Sequence, residues 1–225
     1  MRPALLAALQ LTDSAFPSGR YTLSHGLEGY LQEGGTDVPG LLADMLVNAA
    51  GPGDAAALAL AHRAAVAGDW DAVAEADAGL HAIKLNREVR AAAVRTGRQV
   101  LRTAVLVFGT PSLARLAALV ESGAAPGNQA VVAGVAHAGL GVPVADAVTC
   151  ELFGYAAGWA GAAVRLGALD FRRAQAVLAG AAPAIRRAAD LALAARGPAD
   201  LHAATPLADT VSARHERAPA RLFTT

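Results

Sequence analysis

The apolar positions of this chain are filled mostly by alanine and leucine, and β-branched residues never collect into alternating runs. That pattern favours helices nearly everywhere. It predicts an all-α, single-domain bundle of about ten helices: Pro3 to Leu11, Tyr21 to Gln32, Val38 to Ala49, Asp54 to Ala67, Trp70 to Leu80, Arg87 to Val107, Ser112 to Glu121, Asn128 to Ala138, Val144 to Arg165 and Asp170 to Arg196. The breaks carry turn chemistry, at Gly34-Gly35, Gly51-Pro52-Gly53, Gly109-Thr-Pro111, Pro126-Gly127 and Gly141-Val-Pro143. Pro183 lacks a backbone donor and clashes one turn back, so it should kink or split the last helix. No internal period marks a solenoid. Residues 1–196 read as the helical domain and 197–225 as a flexible, extended C-terminal docking tail, where Pro198, Pro206 and Pro219 interrupt any helical pattern.

The most apolar segment, Val144 to Arg165, is long enough to span a bilayer. Asp146 and Glu151 oppose that reading, because each charge costs roughly 2.5 to 3.5 kcal/mol at a membrane centre. Gly154, Gly158 and Ala162 recur every four residues and make a smooth ridge, suited to a core helix or to a subunit interface. The first ten residues carry one positive charge and a short apolar run broken by Gln10 and Asp13, a poor signal peptide. They read as the first helix.

Composition narrows the function classes. At 225 residues, 54% hydrophobic and 17% charged, the chain can bury a substantial core. Nineteen basic and nineteen acidic residues cancel, which argues against nucleic acid or an anionic membrane as partner. The lone Cys150 cannot form an internal disulfide and suits a reducing cytoplasm. No Walker-type glycine loop and no dinucleotide fingerprint is present, so no nucleotide cofactor is expected.

The six histidines, His25, His62, His81, His137, His202 and His215, form no His-x-x-x-His pair, and no metal centre is expected. His25 and Glu28 lie three apart and so on one helix face, His215 sits beside Glu216, and all four are candidate partner-binding residues. A competing reading is a small helical hydrolase using Ser24, His25 and Glu28, though adjacent helical residues point about 100° apart and no Gly-x-Ser-x-Gly elbow supports it. A helical wheel places Lys84, Arg87, Arg95, Arg98 and Arg102 on one arc, with Val89, Thr96, Val100 and Val107 opposite. Arginine forks pair well with carboxylates, so Arg95, Arg98 and Arg102 are candidates for docking an acidic protein surface. The C-terminal tail ends in Leu222 and Phe223 rather than in polar filler, and Arg214, His215, Glu216 and Arg221 flank that plug. An apolar plug on a loose tail wants a surface to land on.

Several patches resemble the urease accessory protein F (UreF) family. Asp13-Ser-Ala-Phe-Pro-Ser-Gly-Arg-Tyr-Thr-Leu-Ser-His-Gly-Leu-Glu28 is similar to the family's Pro-x-Gly…Ser-His/Gln-Gly-Leu-Glu motif. Arg87-Glu-Val-Arg90, with Gly97 downstream, is similar to its Glu-x-Arg and glycine-containing helix. Ala163 to Gln175 is similar to its Arg-Leu-x-Pro-Leu-Gly-Gln segment, with Ala168 for the proline and Asp170-Phe171 for Gly-Gln. The closing Arg214-His215-Glu216 and Arg221-Leu222-Phe223 match as well. The resemblance implies a non-enzymatic, cytoplasmic, usually dimeric helical scaffold. Its implied partners are UreD (also called UreH) and the nickel-carrying GTPase UreG, and its implied end point is nickel delivery to apo-urease. It also implies that the C-terminal segment contacts UreD, and that metal moves through a protein passage.

Overall fold

A computed structural model describes residues 3–225; Met1 and Arg2, the start of the 1–196 span, lie outside it. The chain is all-α, with no strand among the described residues. Its α-helices are α1 Pro3–Thr12, α2 Leu27–Gln32, α3 Val38–Met45, α4 Ala56–Ala67, α5 Trp70–Ile83, α6 Arg87–Phe108, α7 Pro111–Glu121, α8 Gln129–Gly139, α9 Val144–Arg165, α10 Phe171–Gly180, α11 Ala182–Ala194 and α12 Pro206–His215. Several begin where the sequence supplies a cap: the side chains of Asp37, Asp69, Thr110 and Asp170 each accept a backbone N–H from the first turn.

One core holds the bundle. Residues 130–137 of α8 are buried on every side, against α4, α6, α7 and α9, and Leu58, Val131, Val132, Val135, Leu152 and Trp159 meet there with no exposed surface. Each such side chain contributes about 1.5–3 kcal/mol by leaving water. The α5 and α8 ends are joined by a polar clamp. Asp77, fully buried, accepts the N–H groups of Gly127 (2.6 Å) and Asn128 (2.9 Å) and the Asn128 side-chain amide (2.7 Å). Gly97 lets α6 lie directly on this turn, since a Cβ there would stand 2.0 Å from the Gly127 carbonyl oxygen.

The structure departs from the sequence reading in five places. The helix expected over Tyr21 to Gln32 is a 3₁₀ turn, Arg20–Thr22, followed by the shorter α2, because His25 (φ 53°) and Gly26 (φ 85°) both adopt left-handed backbone. Gly51-Pro52-Gly53 does not break the chain: Leu46–Ala55 continues α3 into α4 as a wide, π-type helical run. Within that run the Asn48 carbonyl accepts the Ala204 N–H at 2.8 Å and the Pro52 carbonyl the His202 N–H at 3.2 Å. Lys84 lies before α6 rather than on its stripe and is paired with Asp54 at 2.8 Å, while Val107, placed on the core face, is 51% exposed. Lastly, the C-terminal segment is not extended throughout: 206–215 is α12, packed on α2, with Ala208, Val211, Ser212 and His215 buried. Pro206 stands in its first turn, where a missing N–H costs nothing. Pro183 likewise opens α11, and the predicted split of 170–196 falls at Ala181.

Candidate functional site

The sequence-predicted residues sort into a buried hub, an exposed rim and an interior chamber. Glu28, 4% exposed on α2, is the hub. Its carboxylate accepts His215 Nε2–H (2.9 Å), the Leu222 N–H (2.7 Å) and the Phe223 N–H (2.9 Å). His215 Nδ1 is buried without a partner among the described residues. Glu28 is therefore a buried carboxylate satisfied by three N–H donors, and it fixes the end of the chain.

Around the hub the C-terminal segment is stitched to residues 20–33 and to α6. Thr224 N–H donates to the Thr22 carbonyl (2.9 Å), and Ser24 gives both its N–H (3.2 Å) and its hydroxyl to the Thr225 carbonyl. Phe223, 3% exposed, sits under Arg165, whose guanidinium also covers the Tyr21 ring at 3.7 Å. Ion pairs line the rim: Arg214 with Glu33 (3.1 Å), Arg87 with Glu216 (3.1 Å) and Arg221 with Glu88 (2.7 Å). Arg95 donates to Thr224 Oγ1 at 3.1 Å, which joins the basic stripe of α6 to the tail. Arg98 reaches the Pro126 carbonyl and Arg102 the Gln99 side chain, and both stay exposed. Leu222 is 62% exposed beside this rim.

Ser24, His25 and Glu28 do not converge. Ser24 is engaged by Thr225, Glu28 by the tail, and His25 turns away to pack on Tyr155, with ring centroids 4.4 Å apart. No nucleophile–base pair exists there. His25 instead lines a chamber of about 130 Å³ behind the C-terminal segment. Two ion pairs cross its wall: Arg20 holds both carboxylate oxygens of Glu151 (3.3 and 3.1 Å), and Lys84 holds both of Asp54. Burial, reinforced by the Arg20 charge, depresses His25 to about 3, and burial raises the Tyr155 phenol. Neither the His25 ring nor the Tyr155 hydroxyl makes a hydrogen bond among the described residues. Asp209, also lining the chamber, is raised by burial while Thr205 hydrogen-bonds it. A second cavity of about 20 Å³, bordered by His137 and Cys150, shares the Arg20, Gln129 and Glu151 wall. Glu151 was legible in the sequence as a charge in an apolar helix. Its partner Arg20, 131 positions away, carried no signal.

Fold and site together define an all-helical protein whose C-terminal segment is strapped across a chamber of mainly apolar lining crossed by two ion pairs, with a mixed aromatic, apolar and arginine rim. The UreF family model matches residues 33–182. The urease accessory protein UreF 2 of Brucella canis is 32% identical over 228 aligned positions, covering 98% of this chain and 92% of that relative. The urease accessory protein UreF of Arthrobacter sp. strain FB24 is 34% identical over 222 positions, 97% of this chain and 96% of the relative, and that of Yersinia enterocolitica is 30% identical over 223. The chain belongs to the UreF family of urease accessory proteins. No helix among the described residues is long and apolar enough to cross a membrane.

Proposed function

We propose that this chain is a non-enzymatic, cytoplasmic scaffold of urease maturation that binds UreD/UreH and the GTPase UreG, acts as a homodimer and passes nickel toward apo-urease. The observation that carries the reading is the Arg95–Thr224 contact. It merges the α6 arginines and the C-terminal segment, two separate docking candidates in the sequence, into one surface. Exposed Tyr21 and Leu222 supply apolar anchors and Arg95, Arg98 and Arg102 supply cations, the residue types that dominate protein interfaces. Outward-facing Arg214, Glu216 and Arg221 extend that rim. Glu28, His215 and Phe223 act from beneath by holding it in shape. For the homodimer, Gly158 and Gly161 leave open space along α9 next to Phe153, 45% exposed, where a helix of a second copy would fit closely.

Nickel is cargo in this reading. No group of three or more His, Cys, Asp or Glu able to hold a metal occurs among the described residues, so the cargo is handled by successive polar contacts rather than by a tight site. The chamber with Asp54 and Glu151, and the smaller cavity beyond the shared Arg20–Glu151 wall, supply such contacts. Co-expression with UreD/UreH, UreG and urease, followed by sizing and nickel analysis, tests the proposal. Co-elution of the chain with its partners, and nickel-loaded urease only in its presence, is expected. A chain that elutes alone while urease is activated equally without it overturns the proposal.

A further inference from the structure

We propose that residues 205–225 are a removable strap forming one wall of the chamber, and that Glu28 is the latch that holds it in place. Thr205, Ala208, Asp209, Ser212 and Thr225 line the chamber on that side. The remaining walls belong to the 20–25 segment, the end of α3, the π-type run, the α5–α6 junction, α6, α8 and α9, whose helices also pack into the main core. Phe223 is the one strap residue in that core, so the strap can leave at the loss of a single core side chain. Its root is fixed: the His202 and Ala204 N–H groups donate to the Pro52 and Asn48 carbonyls of the π-type run (3.2 and 2.8 Å), which places the hinge at Ala204–Thr205.

Beyond the hinge the strap has little apolar anchorage. Val211 and Phe223 are its large buried apolar side chains, and Leu207 and Leu222 are 58% and 62% exposed. The rim ion pairs of Arg87 and Arg214 are largely exposed, and such pairs contribute little in water. Segments held this way open below the free energy of global unfolding. What keeps the strap closed is concentrated in the three N–H groups that converge on Glu28. Glu28 is a positioning residue: it acts on the chamber through the strap. The inference rests on contacts within this chain and stands apart from the urease reading.

The test is thiol labelling of a reporter cysteine, Ala92→Cys, at a chamber-lining position of α6 that is 2% exposed with the strap in place, in a Cys150→Ser background. A control reporter, Ala136→Cys, lies in the main core with no exposed surface. A small water-soluble thiol reagent is the probe. Glu28→Gln keeps the shape but turns one oxygen into an amide that faces N–H donors, so the Ala92→Cys rate should rise roughly tenfold or more while the Ala136→Cys rate stays put. Phe223→Ala removes the strap's apolar anchor and should act in the same direction, which keeps the test decisive if Glu28→Gln folds poorly. In the unmodified chain, amide hydrogens of 206–225 should exchange before those of α4 and α8. If both reporters accelerate together in both variants, or if the strap is protected as strongly as α8, the wall opens only by global unfolding and the proposal falls.

Discussion

Acid should destabilise this protein through its buried histidines, well above the pH at which carboxylates titrate. His137, 3% exposed on α8, is held down to about 4 by burial and by the nearby His62. His25 is held at about 3, and burial lowers His62, whose Nε2–H donates to the Val142 carbonyl at 2.8 Å. Each has a folded-state value below the unfolded one of 6.5. Their contribution is therefore fully present above pH 6.5 and is lost as pH falls toward the folded values, because the unfolded chain takes up protons that the folded chain refuses. Each such group costs about 1.4 kcal/mol per pH unit. Between pH 6.5 and 5, His137 alone removes about 2 kcal/mol, and His25 adds up to the same amount, less whatever screening water in the chamber provides. A loss of about 2–4 kcal/mol is a large share of the ~5–15 kcal/mol typical of a folded domain. Asp77 and Asp209 work in the opposite sense: raised by burial, they return stability only as pH falls through their folded values toward 3.8. Urea melts at pH 7.5, 6.5, 5.5 and 5 give the slope directly. His137→Gln should be less stable at pH 7.5 but shed about one proton's worth of slope. A flat profile between pH 6.5 and 5, or a His137→Gln variant that keeps the full slope, would refute the reasoning.

Three further outcomes are expected. Asp77→Ala strands the Gly127 and Asn128 N–H groups and the Asn128 amide in a buried site, at about 3–5 kcal/mol in total; an unchanged melting temperature contradicts the clamp. Gly97→Ala must push α6 away from the Gly127 carbonyl, an overpacking cost of about 1–3 kcal/mol that calorimetry detects. Reversing Arg95 and Arg98 to Glu should leave helical content unchanged, since both side chains are exposed, but weaken capture of UreD/UreH and UreG and its salt dependence; undiminished, salt-insensitive capture would show that the stripe is only a solvated face.

Much of the architecture is local and was therefore legible. Val144–Arg165 matches its predicted bounds, the helices expected from Val38 and Trp70 start there, and Pro183 divides the last long segment, because proline sterics and apolar periodicity act within one or two turns. The failures share a cause. A helix through Tyr21 agrees with propensity, yet left-handed backbone at His25 and Gly26 aims Glu28 at a tail 187 to 195 positions away. Prolines at 198, 206 and 219 read as helix breakers, yet Pro206 opens a helix once α2 offers it a face to pack on. Arg214, His215, Glu216, Arg221, Leu222 and Phe223 stood out in the sequence as a group, but not that Phe223 faces inward and Leu222 outward. Sequence by itself determined the helices, the family motifs and the residue types gathered at the chain's two ends. Tertiary structure alone decided that those ends close on each other around a chamber. Desolvation of a carboxylate such as Glu28 is tolerable only when distant donors arrive to satisfy it, and no local pattern records that arrival.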